Sequence, residues 1–206
     1  MKFKIGAKLL MGFISLTLIT IVIGIISIIS LLNVTKSNED MYKKMVIPIT
    51  YLTHITERFQ RIRVNTRDII IANSKEEIKN YEVRITEHRN EVEKYAKLYE
   101  DTLLTQAGRD LMKEFYIDHI AYKDGVAKLI KLAEENKDEE AFAYLQGDLK
   151  ILSDKKMATI EKLIAQKEEL AKERYIEDAK LSNFIILVLI ISIAVGAVLA
   201  LTIGIF

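Results

Sequence analysis

The chain has 206 residues, enough for one domain of ordinary size, and a formal net charge of +1 with no basic tail, which argues against nucleic acid as a partner. It contains no cysteine, so neither a disulfide framework nor thiol chemistry is available. One proline and 8 glycines point to long helices and few turns.

The average charge hides a partition. Residues 9–35 and 181–206 carry no charged side chain, whereas all 29 acidic residues and all but three of the 30 basic ones lie between Asn33 and Ser182. A charged, water-soluble middle is thus bracketed by two apolar stretches.

Residues 1–8 carry Lys2, Lys4 and Lys8. Residues 9–32, LLMGFISLTLITIVIGIISIISLL, form an uninterrupted apolar run. About 20 such residues cross the ~30 Å hydrocarbon layer of a bilayer. The run is too long for the core of a signal peptide and leads into no small-residue cleavage pattern, so an uncleaved transmembrane helix is expected. The lysines of the 1–8 tail hold the N-terminus in the cytoplasm. Residues 33–182 are then expected outside the cytoplasm, and residues 183–206 return the chain as a second span. In that span Ser192, Gly196, Ala200 and Gly204 recur every four residues, a ridge on which helices approach closely in lipid.

The middle opens on a long helix ending near Asn73. Leu52, Ile55, Phe59, Ile62, Thr66 and Ile69 repeat at alternating spacings of three and four, the stripe of a helix packed along one face. Met41, Met45 and Pro48 extend it backwards, with a kink expected at Pro48. Ser74-Lys-Glu-Glu77 reads as a capping box that starts a second helix, whose seam is Ile78, Tyr81, Ile85, His88, Val92, Tyr95 and Tyr99. Thr105 is the expected N-cap of a third, with Leu111, Phe115, Tyr122, Val126, Leu129 and Ala133 on its seam. After a polar turn at residues 135–138 a fourth begins near Asp138, bends at Gly147, and runs through Met157, Ile160, Leu163, Ile164, Leu170, Ala171 and Tyr175. The first and fourth helices rise ~60–66 Å and the inner two ~45 Å. Such lengths fit an all-α, antiparallel up-down-up-down four-helix bundle flanked by two transmembrane helices.

Nothing in this pattern builds an enzyme. No Gly-rich phosphate loop, H-E-x-x-H or nucleophile elbow occurs, and carboxylate runs such as Lys167–Arg174 read as a solvated helix face. His88 and His119 fall at one level of the bundle, where paired histidines could ligate haem. Hydrogen bonds to neighbouring groups are the plainer reading, no Glu-x-x-His pair accompanies them, and no cofactor or metal is expected. The arginines of the first helix are the sharper signal. Arg61 has Glu57 four residues before it, but Arg58, Arg63 and Arg67 have no carboxylate three or four residues away. Arg63 and Arg67 repel one another across one turn. Either acidic residues on another helix neutralise them or a ligand anion does. The planar guanidinium fork suits the carboxylate of an amino acid or organic acid.

Two spans around a four-helix bundle, the lysine-bearing start KFKIGAKL, the hairpin entry NSKEEIKNYEVRI and the turn ENKDEEAFAYL together resemble the sensory half of methyl-accepting chemotaxis proteins. The resemblance covers essentially the whole chain. It implies a homodimer in the plasma membrane with a small ligand, or a ligand-loaded binding protein, held near the distal end. Helix 1 arginines contact the ligand in the aspartate and serine receptors, and Arg61, Arg63 and Arg67 fall in the corresponding region, though their spacing does not register with that pattern. The signalling parts of the family would follow residue 206, so the chain reads as a fragment or truncated form that senses without itself reaching a kinase. The same module resembles the sensors of histidine kinases and cyclases. A structural scaffold of membrane-anchored helices is the rival from another class.

Overall fold

A computed structural model describes residues 5–205. Helices account for nearly all of them: α1 (Ile5–Met41), a π-helical turn (Tyr42–Val46), α2 (Ile47–Ile70), α3 (Lys75–Glu100), α4 (Gln106–Glu134), α5 (Asp138–Gln146) and α6 (Asp148–Ile205). Among the described residues there is no strand, as the all-α expectation requires.

The chain divides into two compact units. The first comprises residues 1–41 and 172–206 and holds the apolar stretches of α1 and α6, both long and apolar enough to cross a membrane. Within it Gly196 sits where an added Cβ would lie 3.3 Å from Ile19 Cγ2, so a small residue lets the two helices touch there. The side chains of Ala200 and Gly204, the rest of the expected ridge, lie outside the described residues, as do Lys2, Lys4 and Lys8 of the tail.

The second unit, Tyr42–Ala171, is the bundle. Its start shows why Pro48 is tolerated. Proline offers no N–H to the carbonyl four residues back and its ring crowds that carbonyl. The turn just before it widens into a π-helix, and Pro48 enters at the start of α2. The deviation expected at the proline is therefore taken up over residues 42–46.

The remaining boundaries are set by side chains. Ser74 Oγ accepts from Glu77 N–H at 3.2 Å, while Glu77 Oε2 reaches back to Asn73 N–H at 2.7 Å, closing a reciprocal cap one residue wider than expected. Thr105 Oγ1 accepts from Gly108 N–H at 3.1 Å. α4 ends on Asn136, whose φ of 55° is left-handed, with Asn136 N–H bonded to Ala133 O and Lys137 N–H to Leu132 O. The break between α5 and α6 is at Gly147, where ψ of −103° leaves the helical range.

The seam of α2 packs as its spacing requires: Leu52, Ile55, Phe59, Ile62, Thr66 and Ile69 are all buried. Ile78, Ile85, Val92 and Tyr99 of α3, Phe115, Tyr122, Val126 and Leu129 of α4, and Leu149, Ile160 and Leu163 of α6 complete the core. Each full burial of such a side chain contributes roughly 1.5–3 kcal/mol before chain entropy is counted. At Gly125 a Cβ would come within 2.8 Å of Leu149 Cδ1, so α4 and the start of α6 approach more closely than a larger residue allows.

Two expectations for α6 are corrected. Tyr175 lies outside the bundle core and is exposed. Lys167, expected on a solvated face, is 2% exposed, and Lys156 of the same helix is 1% exposed. Their long stems follow the apolar seam inward while the amines find partners inside.

Candidate functional site

Between α2, α4 and the α5–α6 break lies a cavity of about 360 Å³. Gln60, Arg63, Val64 and Arg67 line it from α2 and Tyr122 from α4, facing Leu145, Gln146, Leu149, Lys150 and Ser153. Helical spacing explains the α2 wall, since Gln60, Arg63 and Arg67 are three and four residues apart and share a face. The far wall depends on Gly147. Restarting the helix at Asp148 places Lys150 and Ser153 three residues apart on the side that meets α2.

Electrostatically the cavity is one-sided. Arg63, Arg67 and Lys150 line it, and no carboxylate does. Arg63 Nη1 donates to Gln60 Oε1 at 3.0 Å and has no ion pair among the described residues. Arg67 Nη2 reaches its own neighbour Asp68 at 3.3 Å, and Lys150 pairs with Asp154. The expected neutralisation of Arg63 and Arg67 by acidic residues of α3 or α6 is not found among the described residues. Both pairs that do form are surface pairs of small net worth.

Ser153 sharpens the picture. The residue is 5% exposed and its Oγ is buried without a hydrogen-bond partner. A buried hydroxyl left unpaired is costly, so a ligand atom that pairs with it would gain more than it would in water. Tyr122, on the α4 wall, has its hydroxyl pushed up to about 12 by burial and stays neutral.

Of the arginines singled out by sequence, the fold brings Arg63 and Arg67 to one cavity and leaves Arg61 out. Arg61 Nε bonds Glu57 Oε1 at 3.0 Å on an exposed face, and this contact holds the Glu57 carboxyl below its usual range. Protonation of His88 is disfavoured first by burial and second by the Arg58 charge, and Arg58 Nε is buried without a hydrogen-bond partner. Lys150 and Ser153 were missed by sequence reasoning. Their signal was the bend at Gly147, which sets the rotational phase of α6 and so the face on which both residues fall.

His119 does not stand as an open ligand, because both its ring nitrogens are engaged. Nε2 lies 3.2 Å from Glu93 Oε1, and Nδ1 lies 2.8 Å from Lys156 Nζ. Among the described residues no cluster of three or more histidine, aspartate or glutamate side chains is placed to hold a metal ion.

Comparison with known proteins agrees with this architecture. A protein of Acetivibrio thermocellus that bears the provisional name sensory transducer protein is 29% identical over 145 residues. The aligned part is 70% of this chain but 26% of that relative, so the chain spans about a quarter of the length of the curated protein it matches. The family model of the four-helix-bundle sensory module for signal transduction matches residues 2–182, and the chain belongs to that family.

Proposed function

We propose that the chain is the sensory input half of a bacterial chemoreceptor, and that it binds a small organic anion in the cavity beside Arg63 and Arg67. The observation that carries this reading is the cavity itself: three cationic side chains and an unpartnered buried hydroxyl converge on it, with no carboxylate among them. Its size falls in the range of small-molecule sites, at the small end. An amino acid or short organic acid would set its carboxylate across the guanidinium of Arg63 or Arg67, and a hydroxyl, amine or second carboxylate oxygen would meet Ser153 Oγ. Arg61 enters the proposal only through a homodimer, where a second copy would meet its exposed face.

In this reading residues 33–182 lie outside the cytoplasm, between spans at 9–32 and 183–206, with both termini inside. The ligand bridges α2 and the start of α6. A shift of α6 against α2 would carry its signal toward the membrane, provided the ligand binds the two arrangements with different affinity. A ligand-loaded binding protein is the alternative input, and histidine kinases and cyclases offer alternative outputs.

The test uses the full chain in detergent micelles, screened with amino acids and organic acids by thermal shift. A ligand at 100 times its Kd stabilises a protein by about 2.7 kcal/mol. A hit lost in Arg63→Ala/Arg67→Ala and weakened in Ser153→Ala supports the reading. A hit indifferent to all three places the ligand elsewhere, and silence across the screen favours a protein input or the scaffold.

A further inference from the structure

A chain of polar groups runs from the surface of the bundle into its core and ends on a lysine. Glu93 of α3 keeps about half its side chain in solvent, and its Oε1 contacts His119 Nε2 on α4. The opposite ring nitrogen, Nδ1, contacts Nζ of Lys156 on α6. Lys156 is 1% exposed, and the groups around its amine are rings: Phe59 at 4.5 Å, Phe115 at 5.6 Å and Tyr122 at 5.6 Å from centroid to Nζ. An ammonium carries three donors, and here it has one acceptor and three aromatic faces.

The charged groups that face this pair are few. α3 presents Glu93 and Arg89, and α4 presents Asp118 and, beside Arg89 on a small void, Lys123. α6 adds Lys155, whose amine is committed to Asp118 at 2.9 Å. From α2 come Phe59 and Ile62, with Arg63 acting on Tyr122 from the cavity side. Among the described residues no carboxylate forms an ion pair with the Lys156 amine, and Glu93 and Asp118 act on it from farther off.

A protonated His119 would turn its Nδ1–H onto a protonated Lys156, so the pair holds one cation at most. We propose that His119 and Lys156 form a proton-binding site whose mouth is Glu93, and that the bundle reads the acidity of its medium through it as a second signal. The first half stands on the cluster alone, and the second rests on the sensory reading above.

The proton balance closes. With Lys156 neutral, His119 carries its proton on Nδ1 and donates it to the lysine lone pair. A proton arriving from the Glu93 carboxyl is taken at Nε2, and the imidazolium so formed releases the Nδ1 proton to Nζ. The ring is left neutral with its proton on Nε2, donating to the Glu93 carboxylate, and the core has gained one charge. Burial pushes the Lys156 ammonium down to about 7, and burial with the Lys156 charge pushes His119 down to about 4. Lysine is therefore the group that ends charged. Its charge attracts the faces of Phe59 and Tyr122, which touch edge to face at 5.1 Å, and Tyr122 also lines the arginine cavity.

The test is a nuclear magnetic resonance titration of the full chain in detergent micelles, carrying carbon-13 lysine and tyrosine, with Lys156 assigned through Lys156→Arg and Tyr122 through Tyr122→Phe. The Lys156 Cε signal is expected to titrate near neutrality while ordinary lysines stay unmoved below about pH 9. Tyr122 is expected to shift at the same midpoint. His119→Gln keeps a hydrogen-bond acceptor but cannot relay a proton, so exchange at Lys156 slows, an effect a merely structural histidine would not produce. A Lys156 signal moving only with the other lysines overturns the proton site. A titrating Lys156 beside an unmoved Tyr122 overturns the second signal. Neither outcome touches anion binding, which the thermal-shift screen reads separately.

Discussion

The bundle holds two groups of cations that lie back to back across Tyr122 and differ in solvent. Arg63, Arg67 and Lys150 edge an open cavity and have only weak partners. Lys156 lies in the core among aromatic rings, where losing the proton is the cheaper course. The comparison separates two uses of positive charge. In the proposed reading a fixed charge at the cavity serves to bind an anion, and a removable charge in the core makes the packing itself depend on pH. Guanidinium suits the first use because it cannot be deprotonated in a protein, and a lysine amine suits the second because burial shifts it readily.

The largest test breaks the aromatic side of the core. Phe59 is fully buried, and Phe59→Ala should destabilise the bundle by about 3–5 kcal/mol in denaturant melts, against about 2–5 for Leu52→Ala on the same seam. The diagnostic quantity is the excess of the first over the second. It should be greater at pH 6, where Lys156 is charged and the ring attracts it, than at pH 9. An excess that does not change with pH would mean that the ring serves only as filling.

Next in size is the removal of the core charge. The Lys156 pKa falls from 10.5 in the unfolded chain to about 7 in the fold, so between these values the unfolded state binds more protons and stability rises with pH. The contribution is fully present above 10.5 and is lost as pH falls through about 7. His119, depressed from 6.5 to about 4, acts in the same sense lower down, its contribution lost as pH falls through about 4. The effective desolvation penalty of a buried ion is on the order of several kcal/mol, and an apolar side chain of similar length avoids it. Lys156→Met should therefore be more stable than the parent at pH 6, and the gap should close as pH rises toward 10. A constant gap would show that the lysine does not titrate on folding.

How far the sequence showed these two regions depends on what each is made of. The seam of α2 was legible because Leu52, Ile55, Phe59, Ile62, Thr66 and Ile69 keep helical spacing, and every one is buried. The caps at Ser74 and Thr105 were legible because they need only a hydroxyl at a fixed offset from a helix start. Arg63 and Arg67 stood out through the carboxylates they lack nearby, a local property of the chain. Lys150 and Ser153 did not, because their place opposite α2 depends on the helix restarting after Gly147. The run that starts at Lys167 reads as a solvated face because charge is normally an outward signal, and periodicity alone cannot tell a lysine whose stem lies along the seam, as those of Lys156 and Lys167 do, from one beside it. The sequence places His119 level with His88 and hydrogen-bonded to a neighbour, but its partners Glu93 and Lys156 come from two other helices and no local pattern names them.

The cavity side is tested by Arg63→Ala/Arg67→Ala. Loss of both guanidinium groups should weaken anion binding about tenfold or more in calorimetry, with its pH dependence between 6 and 8 altered little. If Lys156 and the cavity communicate through Tyr122, Lys156→Met should change anion affinity in the opposite way, leaving the binding residues intact but removing its variation over the same pH range. Equal pH dependence in the two variants would sever the two regions.

The smallest effect concerns the free bundle and sharpens the contrast most directly. Arg63 and Arg67 are like charges one turn apart, a pairing that destabilises a helix by about 0.2–0.5 kcal/mol. Arg67 is the more exposed, at 66% for its side chain, and its pairing with Asp68 is worth little in that solvent. Arg67→Gln should then leave the ligand-free chain slightly more stable at low salt, and the gain should shrink as ionic strength rises toward 1 M, where screening acts over about 3 Å. The pH response assigned to Lys156 should keep its size over the same salt range, because a core charge is screened far less. Were the Arg67→Gln gain to survive high salt, its cause would lie in packing, and the cavity would no longer count as a hydrated counterpart to the core.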